Sequence, residues 1–288
     1  MKKYILTLLT ISVILASCNK QEIENEEVVA DKSVVENPNT SYTGESFTYD
    51  SEYINPKKQI GMYHNEVMDD LSKNLDQFED LDDLLHQLYI STSEATELTN
   101  LEIDEDEFSD AIKELGKLGE QDFDYQFYRL NNEYGLVILN GFSVDIENLC
   151  NELDAMPVDM DAVNYCDAQI SIIEQKVNAS QISESDKGSY LTFCAVFRES
   201  FAYRNLVIAN PGHPLFPYYF DGTKAEPKVS VTATIAADCY GALEGGLKGA
   251  FFGPAAALFL AVGEGAIASL GAASLSIVYQ VIDDYFGW

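Results

Sequence analysis

Apolar residues recur at three- and four-residue steps along most of the chain after residue 56. That spacing gathers side chains on one face of an α-helix. Ile60, Tyr63, Val67, Leu71, Leu75 and Phe78 form the first series. Asn55-Pro56 stands before it, and Asn suits an N-cap while Pro suits the first helical position. Asp80 opens a second helix through Leu81, Leu84, Leu85 and Leu88. The acids Asp104 to Glu107 precede Phe108, Ile112, Leu115 and Leu118, so negative charge meets the positive end of a helix dipole. Gly116 and Gly119 end that pattern. Ile146, Leu149 and Leu153 continue the theme, and Met156-Pro157 breaks it. Val163, Cys166, Ile170, Ile173 and Val177 resume it. A helix capped near Ser183 runs to about Ala209, with Tyr190, Phe193, Phe197 and Phe201 as a core-facing stripe. Asn210-Pro211-Gly212-His213-Pro214 then enforces a loop that reaches Pro227. Leu136-Val137-Ile138-Leu139 is the one apolar run that suits a strand. It is short and Gly141 follows, and a helix is the expectation there too.

From Ala233 to Ala273 every fourth residue is small: Ala233, Ala237, Gly241, Gly245, Gly249, Gly253, Ala257, Ala261, Gly265, Ser269 and Ala273. A period of four traces a ridge on a helix, and a ridge without side chains admits a second backbone. Gly253-Pro254 interrupts the segment. Folded back there, its arms bring Gly249 to Ala257, Gly245 to Ala261 and Gly241 to Gly265. Two readings of this glycine zipper follow. One is a close-packed helical hairpin buried against the aromatic helices. The other is insertion into a bilayer or self-association through the zipper. Residues 265–282 are uncharged and just long enough to cross a membrane. Glu244, Lys248 and Glu264 oppose insertion, although Glu244 and Lys248, four apart, suit an ion pair. The expected fold is all-α: a multi-helix bundle over residues 56–228, with the Gly/Ala-rich hairpin over 229–288 packed on it.

The chain begins Met1-Lys2-Lys3, continues apolar from Tyr4 to Leu15, and reaches Leu15-Ala16-Ser17-Cys18. A basic start, a short apolar core and small residues at the cut make residues 1–17 a secretory signal. The last four residues resemble the lipobox of bacterial lipoproteins, which implies that Cys18 becomes the first mature residue and carries a covalent lipid. An ordinary signal peptide or an N-terminal anchor is the alternative. Residues 18–55 are polar and acidic without helical periodicity, which predicts a disordered tether. Lys20-Gln21-Glu22 with Glu24, Glu26 and Glu27 looks like the acidic export signal of Bacteroidetes-type lipoproteins. The expected location is therefore the outer membrane, on the cell surface or facing the periplasm, with the membrane as a partner through the lipid.

Lys and Arg number 17 against 48 Asp and Glu, a formal net charge of −31. Such a surface repels a phosphate backbone, so nucleic acid is not an expected partner. Cys150, Cys166, Cys194 and Cys239 follow Cys18 without a CxxC spacing that would hold zinc. They read either as buried free thiols or, if Pro157 turns a helical hairpin, as a Cys150–Cys166 disulfide with both sulfurs at one height. Histidine occurs only at 64, 86 and 213, and no GxSxG, HExxH, Walker A or GxGxxG stands in its required setting. The carboxylates read as solvated helix faces. Asp80 to Asp83 and Asp104 to Asp110 lack the glycine of an EF-hand loop. No catalytic residue, metal site or dissociable cofactor is read.

The order of these features resembles a group of lipoproteins from Bacteroidetes-type bacteria. They share a lipobox, an acidic tether, an Asn-Pro step into a helix carrying His-Asn, a Ser-initiated aromatic helix and a Gly/Ala-rich end. Here these are Cys18, Asn55-Pro56, His64-Asn65, the helix after Ser183, and Ala236 to Ala273. The resemblance implies location and helical architecture, and no activity. The functional expectation is a non-enzymatic envelope lipoprotein holding a protein or glycan ligand. A membrane-active or oligomerising protein built on residues 233–273 is the alternative.

Overall fold

The computed structural model describes residues 55–75, 77–78, 80–98, 103–113, 123–157, 159–219 and 231–272. They form helices α1 (Lys58–Ser72), α2 (Leu81–Thr96), α3 (Glu105–Lys113), α4 (Phe123–Tyr134), α5 (Phe142–Asp154), α6 (Met160–Ala179), α7 (Glu184–Ala209), the single turn α8 (Phe216–Tyr219), α9 (Val231–Gly249) and α10 (Pro254–Ala272). No strand occurs among the described residues. The expected signal peptide, Cys18, the tether up to residue 54, the glycines at 116 and 119, and the chain beyond residue 272 lie outside them.

Side chains start several helices by accepting otherwise orphaned backbone N–H groups. Asp80 accepts from Asp83 at 3.0 Å, Asp104 from Glu107 at 3.0 Å, Asp159 from Ala162 at 3.0 Å and Ser183 from Asp186 at 3.1 Å. Each such cap contributes about 1 kcal/mol. Asn55 behaves differently from the expected N-cap. Helix α1 begins only at Lys58, and Asn55 is buried. Its Oδ1 accepts from the Lys57 N–H at 2.7 Å, while its Nδ2 donates to Glu174 at 2.5 Å and to the Leu191 carbonyl at 2.8 Å. The residue fastens the start of the fold to α6 and α7.

Helix α7 is the axis of the packing. It is buried without interruption from Tyr190 to Asn205 and touches α1, α6 and α9. Its aromatic stripe faces the core, with Phe193 against Phe142, Phe197 and Tyr240. Helices α9 and α10 run antiparallel and make the most extensive contact in the fold. α9 lies on α7, and α10 lies on α1 and α2. The glycines permit this. A Cβ on Gly241 would overlap the carbonyl oxygen of Glu264, and one on Gly245 would overlap that of Leu260. One on Gly249 would lie 2.5 Å from the Ala257 Cα. Gly265 stays in this seam: its Cβ would lie 3.2 Å from the Ala242 Cβ and 3.2 Å from the Asp238 carbonyl oxygen of α9, and 3.1 Å from a ring carbon of His64. Gly253 sits in the connecting turn at φ +117°, a conformation that favours glycine, and Pro254 opens α10. Ala261 is buried, and Ala257 is half-buried beside Gly249.

Two expectations are corrected. Residues 135–139 are neither helix nor strand but an irregular connector between α4 and α5. Their hydrogen bonds come from distant side chains. The Val137 N–H donates to Asp186 at 3.1 Å, the Leu139 N–H donates to the Tyr190 hydroxyl at 2.9 Å, and that hydroxyl donates to the Val137 carbonyl at 2.9 Å. Gly135 and Gly141, at φ +74° and +84°, bracket the stretch. Second, Cys150 and Cys166 form no disulfide; both are free thiols, buried on α5 and α6. Burial raises both pKa values, that of Cys150 to about 12, so the protonated thiol behaves as a small apolar core group.

The seam predicts a contrast between adjacent glycines. Gly245→Ala drives a methyl into the α10 backbone and lowers stability by about 1–3 kcal/mol in urea denaturation. Gly246→Ala, whose Cβ would sit 3.7 Å from that of Ala261, has room for the methyl and raises stability by about 0.5–1 kcal/mol.

Candidate functional site

The antiparallel pair carries Asp238, Glu244, Lys248 and Glu264 into the interior. Asp238 takes Arg204 of α7 through both carboxylate oxygens, at 3.0 and 2.8 Å. The same Arg204 nitrogen donates to Ser269 on α10 at 2.7 Å. His64 of α1 completes the centre. Its Nδ1 lies 3.1 Å from Asn65 and 3.4 Å from Ser200, and its Nε2 lies 3.8 Å from Asp238. Asn65 in turn donates to the Glu199 carbonyl at 2.9 Å. Burial lowers the His64 pKa and keeps the ring neutral, although Asp238 opposes the shift.

Ser200, His64 and Asp238 are the residue types of a nucleophilic triad. Their geometry assigns them to packing instead. Exposure is 0 %, 1 % and 0 %, the His–Asp separation exceeds a hydrogen bond, and Arg204 already holds the carboxylate. A reacting carbonyl has no path to the serine.

A second centre joins α4 to the pair. Glu244 accepts from Arg129 at 2.6 Å and from the Tyr134 hydroxyl at 3.2 Å, and lies 3.4 Å from Lys248. Lys248 also reaches Glu264 at 3.3 Å and donates to the Ala111 carbonyl at 3.1 Å. Desolvation opposes ionisation of Glu244, but Arg129 and Lys248 outweigh it and lower its pKa. Full burial raises that of Glu264, and Lys248 offsets this only in part. A third centre ties α6 to α7: Arg198 meets Asp167 at 2.8 Å and Glu174 at 2.8 Å. His213, in the loop after α7, lies 3.4 Å from Asp69 of α1. His86 is exposed and paired with Glu105 at 2.7 Å.

The accessible chemistry lies elsewhere. Helix α4, the connector and α5 frame a pocket of about 260 Å³. Phe127, Tyr128, Phe142 and Tyr190 line it, with Ile138, Leu139, Ser143 and Asp124. Phe127, Phe142 and Tyr190 pack ring to ring, with centroids 4.6 to 5.6 Å apart. Tyr128 is more than half exposed, as a wall open to solvent. Ser143 donates to Asp124 at 2.5 Å. The exposed side chains of Tyr125, Val137, Ile138 and Val144 belong to the same three elements.

The structure brings the sequence-marked glycines 241, 245, 249 and 265 into one seam, with His64 also against Gly265. It leaves Cys150 and Cys166 unbonded. The sequence reading missed the buried acids, which it assigned to solvent, and it missed the pocket, whose residues come from distant positions. Arg198 and Arg204 were the available signal. They sit in a helix with apolar residues on every side, so no solvated face could receive them. Among the described residues, no group of three or more His, Cys, Asp and Glu side chains converges as a metal site. No protein-family model, curated protein or solved structure matches the chain.

Two predictions follow from the buried centres. Glu244→Gln leaves Arg129 and Lys248 without their shared anion and costs about 3 kcal/mol or more, whereas Glu264→Gln costs about 1 kcal/mol, both read from urea midpoints near neutral pH. His64 holds a lowered pKa when folded, so only the unfolded chain gains its proton near pH 6.5. Stability therefore falls as pH drops below that value, and His64→Asn flattens the fall in midpoints measured between about pH 7.5 and 5.5.

Proposed function

We propose that the chain is a non-enzymatic envelope lipoprotein, a helical binding domain held at the outer membrane by lipid on Cys18. In this reading residues 1–17 are removed on export, residues 18–54 form the tether, and the fold begins at the buried Asn55, with residues up to 228 and 229–288 folding together. The observation that supports it is where the small-residue ridge goes. Gly241, Gly245 and Gly249 are filled by the backbone of α10, Asp238 and Glu244 meet Arg204 and Arg129 from the rest of the fold, and Lys248 and Glu264 pair with each other. A ridge used in this way has no free face to offer a bilayer or a second copy. Inserting the pair would instead separate Asp238 from Arg204 and Glu244 from Arg129. Each charge at a bilayer centre costs about 2.5–3.5 kcal/mol. No described helix is long and apolar enough to cross a membrane.

The test uses the mature chain with Cys18→Ala, which cannot be lipidated. It is expected to sediment as a soluble monomer and to leave dye-loaded vesicles intact. Dye release that Gly245→Leu abolishes would instead establish the membrane-active alternative. The lipid itself is read by mass: the protein purified from its membrane carries acyl chains on residue 18, and loss of Cys18 releases it from the membrane fraction.

A further inference from the structure

We infer that the turn joining α9 to α10 docks on an uncharged lipid surface, entering the headgroup layer while the helix pair behind it stays closed. This deepens the reading of the chain as a membrane-tethered lipoprotein and rests on it. Among the described residues Phe251 is the most exposed large apolar side chain, at 79 %, and Phe252 beside it is 56 % exposed. Ala250, Pro254 and Ala255 are exposed around them, and no residue from Gly249 to Gly263 carries a charge. Such a projecting apolar tip meets water at a cost that an interface removes.

The backbone of the turn suits a poorly hydrated phase. The Ala250 N–H donates to the Gly246 carbonyl at 3.1 Å and the Phe251 N–H to the Lys248 carbonyl at 3.2 Å. Those of Phe252 and Gly253 donate to the Gly249 carbonyl at 2.9 and 3.1 Å, and Pro254 has no N–H. Residues 250–254 therefore bring no free donor into the lipid, where an unpaired one is costly. A partner that accepts hydrogen bonds from a peptide backbone finds none offered here. The seam and the Gly253-Pro254 step fix the turn, so docking orders little. The flank sets the depth and the lipid type. Glu107 and Asp110 of α3 share a cleft of about 430 Å³ with the two rings. Both acids are exposed and keep their water, so only the tip enters. They also repel anionic headgroups, as does a chain of net charge −31. Reach comes from the other end of the chain. Residues 18–54, taken as a coil on lipidated Cys18, span roughly 35 Å. That keeps the turn at high local lipid concentration, so a weak contact is enough.

Flotation of the mature chain carrying Cys18→Ala with phosphatidylcholine vesicles tests the turn without the anchor. Half of the protein is expected to bind at about millimolar lipid, without dye release. Phe251→Ser should weaken binding at least about tenfold and Phe251→Leu should largely retain it, with the urea midpoint unchanged in both. Replacing about a third of the lipid with phosphatidylglycerol should weaken binding at low salt, and added salt should restore it. Phe252→Trp, in a Trp288→Phe background, should shift its emission to the blue on vesicles and be quenched by brominated acyl chains. No flotation at about 10 mM lipid, or flotation that Phe251→Ser leaves unchanged, would overturn the assignment. A concentration-dependent dimer that Phe251→Ser dissolves would give the turn to a second copy and overturn it too. The acyl mass on residue 18 is read separately, so an anchored protein whose turn ignores vesicles fails this inference alone.

Discussion

The approach of one backbone to another, α9 against α10, is the constraint from which the interior follows. Glycine in a helix costs about 0.5–1 kcal/mol relative to alanine, so a run of them needs a compensating contact. Here the contact is the carbonyl row of the facing helix at Glu264, Leu260 and Ala256. Helices this close leave no room for side chains at the glycine positions, so the charged residues sit beside the seam: Lys248 and Glu264 meet each other across the pair, and the other two acids reach outward. Asp238 points to α7, and Glu244 points to α4. The cations waiting there belong to elements far away in sequence. A buried ion pair contributes little net stability against an apolar replacement, while an unpaired buried charge is costly. These pairs therefore discriminate between registers. Sliding α9 by one turn along α10 would detach Asp238 from Arg204 and Glu244 from Arg129 together, besides driving side chains into carbonyl oxygens.

What the sequence made readable had a period. The stripe Tyr190, Phe193, Phe197 and Phe201 and the small-residue ridge both repeat at helical spacing; the stripe is buried, and so are Ala237, Gly241, Gly245, Gly249, Ala261, Gly265 and Ser269 of the ridge. The caps at Asp80 and Ser183 were readable because their bonds reach only three residues on. What lacked a period stayed hidden. The connector from Gly135 to Leu139 takes its hydrogen bonds from Asp186 and Tyr190, about fifty residues later, so nothing local distinguishes it from a helix or a strand. Helix α4 buries Gln126 beside Phe127 and Leu130, and its polar surroundings blur the repeat.

The acids show a different limit. In a chain with 48 of them, assigning each to solvent is right for most. It fails at Asp167, Glu174, Asp238, Glu244 and Glu264. Their burial is set largely by cations on other helices, and spacing along the chain carries only the Glu244–Lys248 pair, four residues apart. The half that could be read was the cationic one: Arg198 and Arg204 stand among aromatic residues that leave them no way out to water. The cysteines mark the same boundary from the other side. A turn at Pro157 makes a Cys150–Cys166 bond imaginable, yet each thiol is accommodated as core volume.

Asn55 carries a mechanical consequence. It is the first described residue, and it is clamped to Glu174 and Leu191 while Glu174 is itself clamped by Arg198. A pull on the chain ahead of it is therefore borne first by α6 and α7 across several hydrogen bonds in parallel, not by α1 alone. Bonds loaded together resist more force than bonds opened one at a time. A load entering at the leading end therefore meets this clamp before it reaches the rest of the core.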